Sequence, residues 1–319
     1  NGPYVISLYE SGKEIRLRQN ANYHSDQPAV LYGANIALGC ADPLAAFAEG
    51  DSFYAPVPRQ SSVTLKKAAI TEYADTTYAL VVNTDRSLLG NESIRQALCG
   101  VVDREAIAGV LPEDQSITTD LVPETASERT LDYRETAGSC AALTLSGEAR
   151  ALFRAGLAAE REQKLPFTEL LLPDTQTDRQ AAGLIQGSWQ NRLGASINVR
   201  PLPEEELWQR VRAGDYDMAL LALSDSTAMG LLEDFSQDSD RYSTGWQSEE
   251  YEALLEQAAA ETGEQAVHTL ARAEQLLLQS GVVLPLYTSM SHYAVSTEVQ
   301  NAWIDPGEGI IYLKYITKS

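Results

Sequence analysis

The chain is poor in the residues that carry most enzyme chemistry. Among 319 residues there are three histidines and three cysteines. His24, His268 and His292 lie far apart, and none forms the HExxH or HxxxH spacing that sets two imidazoles on one helix face. Cys40, Cys99 and Cys140 are odd in number and lack CxxC spacing, so neither a disulfide framework nor a zinc site can be read from them. Cys99, in an apolar run, reads as a small core residue. His268, in a polar helical stretch, reads as solvent-facing. No GxSxG elbow, Walker loop or GxGxxG after a strand is present, and Asp225-Ser226-Thr227 has no evident activating base. These absences argue against an enzyme and give no reason to expect a metal or cofactor.

Positive charge is scarce as well. With 24 basic and 45 acidic residues the formal charge is −21. A nucleic-acid partner is excluded on this balance, because phosphate binding needs a basic footprint. The acidity reads as a solvated surface. No run approaches the roughly 18 apolar residues of a membrane span. The chain opens Asn1-Gly2-Pro3-Tyr4, with no basic and then apolar leader, and the first residue is not Met. A processed or excised form is the expectation.

What the chain has in quantity is alternation of strand and helix patterns. Residues 3–9 and 14–18 read as strands joined by a turn at Ser11-Gly12. A short helix is expected over 43–49, ending at Gly50. A strand is expected over 78–83, and an amphipathic helix over 91–111 with Asn91 as N-cap and Pro112 as its stop. Arg95 and Asp103, about two turns apart on that helix and pointing in similar directions, suggest with Arg104 a structural ion pair that fixes the helix against its neighbours. Residues 112–145 read as a long connection, and a helix follows over 147–160. Then come strand 167–172, helix 178–193 ending at Gly194, strand 196–200, helix 204–213 with three glutamates in its first turn, and strand 216–223. This strand-helix-strand-helix-strand order implies a parallel α/β sheet with right-handed crossovers. Helices over 248–261 and 264–279, a strand over 282–287 and a tail of short strands complete the chain.

In an open parallel sheet, ligands bind beyond the carboxyl ends of the strands. Two polar clusters fall there. Asp174 and Thr175 follow the first strand of the unit; Ser224, Asp225, Ser226 and Thr227 follow the third. Asp225 could offer a carboxylate to a cation or amine. It could equally be an Asx-turn residue before a helix over 227–235.

A collinear series of motifs resembles one known family. "SIRQALCGVVDREAI" (93–107) resembles a segment of the extracytoplasmic solute-binding proteins of family 5, the oligopeptide-, dipeptide- and nickel-binding subunits of ABC importers. "NGPYVISLYESGKEIRLRQNANY" (1–23), "FAEGDSFYAPVP" (47–58), "TYALVVNT" (77–84), "LVPE" (121–124) and "ARALFRAGL" (149–157) are similar to further family segments in the same order. So are "LIQGSWQNRLGASINV" (184–199), "GDYDMALLA" (214–222), "WQSEEYEALLEQA" (246–258) and "VVLPLYT" (282–288). Peptide-binding members have a Trp-x-Ala-Asp-Tyr-Pro-Asp-Pro-like run after the GDYD strand, whose first aspartate grips the peptide amino terminus. Here Asp225 keeps the aspartate, while the tryptophan and tyrosine are absent.

The resemblance implies a periplasmic-binding-protein-like fold of type II, with two α/β lobes joined by crossing strands and one lobe incomplete. Residues 1–77 and 288–319 would belong to the first lobe and 78–287 to the second. The implied function is the substrate-binding component of an ABC importer, taking a short peptide or similar small solute by lobe closure, with the hinge expected at the strands crossing near 77–83 and 284–288. The implied partners are the importer's membrane subunits, and the implied location is extracytoplasmic. Attachment to a membrane is expected only through a lipid anchor outside this chain. The alternatives are a receptor for a chelated metal or modified sugar, and a regulatory or interaction domain of the same fold that has lost transport.

Overall fold

The computed structural model describes residues 2–24, 29–57, 65–141, 148–302, 304–305 and 310–318. Asn1, Pro58, the end of the 112–145 connection and the expected helix start at 147 lie outside these residues. The chain divides into two compact units, one of residues 1–73 with 291–319 and one of residues 74–290.

In the first unit, β1 (Tyr4–Glu10) and β2 (Glu14–Gln19) form an antiparallel hairpin, and β3 (Gly33–Ala37) pairs with β2. Helix α1 (Pro43–Glu49) is capped by Asp42, whose Oδ1 accepts from the Ala45 N–H at 2.9 Å. It ends on Gly50 with φ of 86°, the left-handed conformation that glycine adopts without penalty. Strand β4 (Tyr54–Val57) pairs with the far end of a strand that leaves the second unit, in the register His292 to Val57.

The second unit is an α/β layer. Its strands are β5 (Ala68–Val82, entering from the first unit), β6 (Gln115–Ile117), the two-residue pair β7 (Ser127–Glu128) and β8 (Leu131–Asp132), β9 (Glu169–Pro173), β10 (Asn198–Leu202), β11 (Met218–Leu223) and β12 (Val283–Ser296). The sheet runs β10-β9-β11-β5-β12, with β6 on β12. The pairs β10·β9 and β9·β11 are parallel, as the helix-strand alternation predicts, whereas β5 runs antiparallel to β11. Strand β11 is buried on both faces: Met218, Ala219, Leu220 and Leu223 have no exposed surface. That is why its sequence is a continuous apolar run and not an alternation. Strands β5 and β12 are longer than the 78–83 and 282–287 segments expected, because their outer halves continue into the first unit as half-exposed residues without an apolar signature.

The helices are α2 (Glu92–Gly100), α3 (Arg104–Ala108), α4 (Tyr133–Ala137), α5 (Ala149–Ala159), α6 (Gln176–Ser188), α7 (Glu204–Arg212), α8 (Ala228–Glu233), α9 (Glu249–Ala260) and α10 (Glu264–Gln279). The helix expected over 91–111 is in fact two. Asp103 takes an N-cap role, accepting from the Ala106 N–H at 3.1 Å, and the break falls at Val101-Val102. The structural ion pair expected among Arg95, Asp103 and Arg104 is made by Asp103 to a neighbouring segment, and Arg95 takes no part in it. Buried Arg95 donates to the carbonyls of Ser280, Leu89 and Gly90, while Asp103 faces Arg192 at 3.4 Å. Carbonyl oxygens can satisfy a buried guanidinium without placing a second charge in the core. Helix α6 continues into a π-turn over Trp189–Leu193, where the fully buried Trp189 indole donates to the Leu98 carbonyl at 2.8 Å. Gly156 lets α5 approach α2, since a Cβ there would lie 2.7 Å from Ile94 Cγ1.

The 112–145 stretch is more ordered than its composition suggests. Glu274 of α10 has no exposed surface. Its Oε1 accepts from the Leu121 and Val122 N–H groups at 2.8 and 3.0 Å and from Arg134 Nη2 at 2.9 Å. Its Oε2 accepts from the Tyr133 hydroxyl at 2.9 Å. Asp120 in turn accepts from the Cys140 and Ala141 N–H groups. One buried carboxylate thus ties the connection to α10.

Candidate functional site

Because β9, β10 and β11 are parallel, the loops after them leave the same edge of the sheet. Both polar clusters singled out above lie on that edge. Asp174 is exposed, and its carboxylate is ion-paired with Arg179 (Nε to Oδ1 2.6 Å). Thr175 is the N-cap of α6: its Oγ1 accepts from the Asp178 N–H at 3.1 Å and donates to Asp178 Oδ2 at 2.6 Å. These two side chains are engaged within their own loop.

The second cluster follows β11. Ser224 is exposed; Asp225, Ser226 and Thr227 are half-buried. Thr227 is the N-cap of α8, its Oγ1 accepting from the Gly230 N–H at 3.0 Å. Asp225 Oδ1 accepts from the Thr227 N–H at 2.9 Å and from its hydroxyl at 3.1 Å. The turn-and-cap geometry is therefore present, and it uses one carboxylate oxygen. No hydrogen bond reaches Asp225 Oδ2 among the described residues. The two readings of Asp225 are compatible, because they call on different oxygens.

Several participants were not picked out from the sequence. The Ser127 N–H donates to the Ser226 carbonyl at 2.8 Å, and buried Glu128 accepts from the Met229 N–H at 3.2 Å while facing Arg129 at 3.5 Å. The segment pinned by Glu274 thus also buttresses the loop that holds Asp225. Below the other cluster, buried Asp178 accepts the hydroxyl of fully buried Tyr287 at 2.7 Å, and that ring stacks on Tyr78 at 4.7 Å and 15°. The Thr175-x-x-Asp178 spacing is a capping signal visible in the sequence; the tyrosines, on two other strands, left none.

At the far end of α8, burial pushes the Asp234 carboxyl up to about 6. Arg241, at 3.0 Å, opposes this and the Asp225 charge adds to it. Burial prevails because the carboxylate loses more solvation than one partly exposed guanidinium restores. Among the described residues no group of three His, Cys, Asp or Glu side chains is placed to hold a metal, and no helix is long and apolar enough to cross a membrane.

An α/β sheet with parallel strands opening polar loops at one edge, and two long strands running on into a second unit, defines a periplasmic-binding-protein-like fold. Listeria monocytogenes OppA bound to peptide shares it, with a TM-score of 0.64 at 18% identity over 100% of this chain and 64% of that one. The family model for bacterial extracellular solute-binding proteins, family 5 (middle), matches residues 1–243, and the chain belongs to that family. It is 23% identical over 329 residues to the dipeptide-binding protein DppE of Bacillus subtilis, across 100% of this chain and 60% of DppE. It is 24% identical over 332 residues to the oligopeptide-binding protein OppA of the same organism, across 98% of this chain and 60% of that protein. The chain thus spans 60% of the length of these relatives.

Proposed function

We propose that this protein is the substrate-binding component of an ABC importer, a non-catalytic extracytoplasmic receptor that takes a short peptide or similar small solute and delivers it to the importer's membrane subunits. Membership of the solute-binding family over residues 1–243 is the observation that carries this reading. The names of the relatives, dipeptide- and oligopeptide-binding, support peptide as the solute class. Asp225 Oδ2 is the group assigned to the solute's ammonium, a charge-assisted hydrogen bond strengthened where water is excluded. Ser224, Ser226, Thr227, Asp174 and Thr175 are assigned to the rim of the same site.

Capture would proceed by closure of the lobes, a hinge motion in β5 and β12. Residues 77–83 and 284–288 are largely buried in the second unit. The bending positions are therefore assigned to Tyr73-Ala74 and Met290-Ser291, where the two strands leave it.

Native mass spectrometry of the protein purified without denaturation tests the solute class. A co-purifying peptide mass released on unfolding is expected, and a non-peptide mass in its place overturns the peptide assignment. Calorimetry with trialanine tests the site: Asp225→Ala should weaken binding at least about tenfold, the scale of one lost charged hydrogen bond. Unchanged affinity removes Asp225 from the site.

A further inference from the structure

We propose that Gly230 is a positioning residue for the Asp225 carboxylate: the space left by its missing side chain seats that group, and Thr227 latches it there. The observation is steric. A Cβ on Gly230 would lie 2.6 Å from Asp225 Oδ1 and 2.8 Å from both Cγ and Oδ2, closer than real Cβ contacts come. The backbone of Gly230 is ordinary right-handed helix, absent from the positive-φ glycines. Chain conformation therefore does not demand glycine here. Within a helix a glycine is less favourable than alanine, so the carboxylate is the feature that requires it.

The polar contacts complete the seat. The Gly230 N–H donates to Thr227 Oγ1, whose own proton goes to Asp225 Oδ1, and the Thr227 N–H bonds the same oxygen. With two donors Oδ1 is saturated, leaving Oδ2 as a single acceptor. A single-acceptor carboxylate suits a point-like ammonium and cannot give a guanidinium its two parallel hydrogen bonds. This consequence for ligand choice rests on the reading of Asp225 as the solute contact; the positioning role of Gly230 does not.

The test is a double-mutant cycle with no ligand present, so that its outcome is independent of the solute reading. Gly230→Ala alone should lower the melting temperature by about 2 °C or more and move the carbon-13 chemical shift of the Asp225 carboxyl carbon at fixed pH. In the Asp225→Ala background the same substitution should raise the melting temperature, because the clash is gone and alanine is the better helix former. If Gly230→Ala fails to fold, the doubly substituted protein should still fold. Destabilisation of the same size in both backgrounds, or an unmoved Asp225 carboxyl carbon-13 shift in Gly230→Ala, overturns the proposal. A second arm addresses ligand choice: trialanine and N-guanidinylated trialanine are titrated into the wild-type protein. Tighter binding of the ammonium form is expected, and tighter binding of the guanidinium form overturns the single-acceptor assignment.

Discussion

Glu274→Gln is the substitution in which the buried network can be tested most sharply. The replacement keeps shape and volume but removes the charge and turns one acceptor oxygen into a donor. In the wild-type protein Glu274 accepts from two backbone N–H groups, from the Tyr133 hydroxyl and from Arg134, and no part of it reaches solvent. Removing one partner of a buried ion pair costs roughly 3–5 kcal/mol, because the remaining charge stays buried without its counterion. Arg134 keeps Asp120 at 3.5 Å, which places the expected loss at the lower end, about 3 kcal/mol. Urea denaturation followed by circular dichroism measures it. The loss should also be local: exchange protection of the Leu121 and Val122 amides should fall first, followed by that of Ser127, whose N–H holds the Ser226 carbonyl. A loss under about 1 kcal/mol, the range of a solvent-screened surface pair, would refute the view that this carboxylate organises the segment.

Two further perturbations have signs set by the structure. Trp189→Phe removes the indole donor from the Leu98 carbonyl in a fully buried position, and should cost about 2–3 kcal/mol by denaturant titration; a cost under about 0.5 kcal/mol would mean that the hydrogen bond contributes nothing. Asp234 should make stability fall with rising pH. A carboxyl whose pKa is raised on folding binds its proton more tightly in the native state, so its contribution is full below the ordinary 3.8 and is lost as the pH passes about 6. The full shift corresponds to at most ~3 kcal/mol, which solvent screening at this partly exposed group reduces to about 1–2 kcal/mol. Melting curves of wild type and Asp234→Asn between about pH 4 and 7 should therefore diverge, the variant lacking this decline; parallel profiles would show that the carboxyl titrates normally.

Much of the architecture was legible because it is encoded locally. The β1–β2 hairpin follows from a Ser11-Gly12 turn between alternating segments, and the alternation from β9 to β11 follows from short apolar runs separated by capped helices. Asn91 was legible as an N-cap for the same reason, as its Oδ1 needs only a neighbouring N–H three residues on. Asp225 was legible as a candidate because it follows a buried strand in a parallel unit. The two hydrogen bonds accepted by its Oδ1 were not, because they depend on how Thr227 folds back at the start of α8.

Tertiary structure decided the partners of the buried groups that anchor distant segments. Arg95 reads with Asp103 and Arg104 as a source of an ion pair to neighbouring segments, but its guanidinium donates to the nearby Leu89 and Gly90 carbonyls and to that of Ser280 at the end of α10. Glu274 lies in the expected 264–279 helix, and Tyr133 and Arg134 in the stretch that reads as a connection, yet they meet across about 140 residues. Asp178 and Tyr287 meet across 109. Local pattern determines which backbone a segment prefers, since propensity, capping and periodicity act over a few residues. Which carboxylate becomes a buried anchor depends on what lies opposite once the sheet has closed over it. Burial then makes an unmatched polar group too costly to keep, and that selection takes place between segments that do not adjoin in the chain.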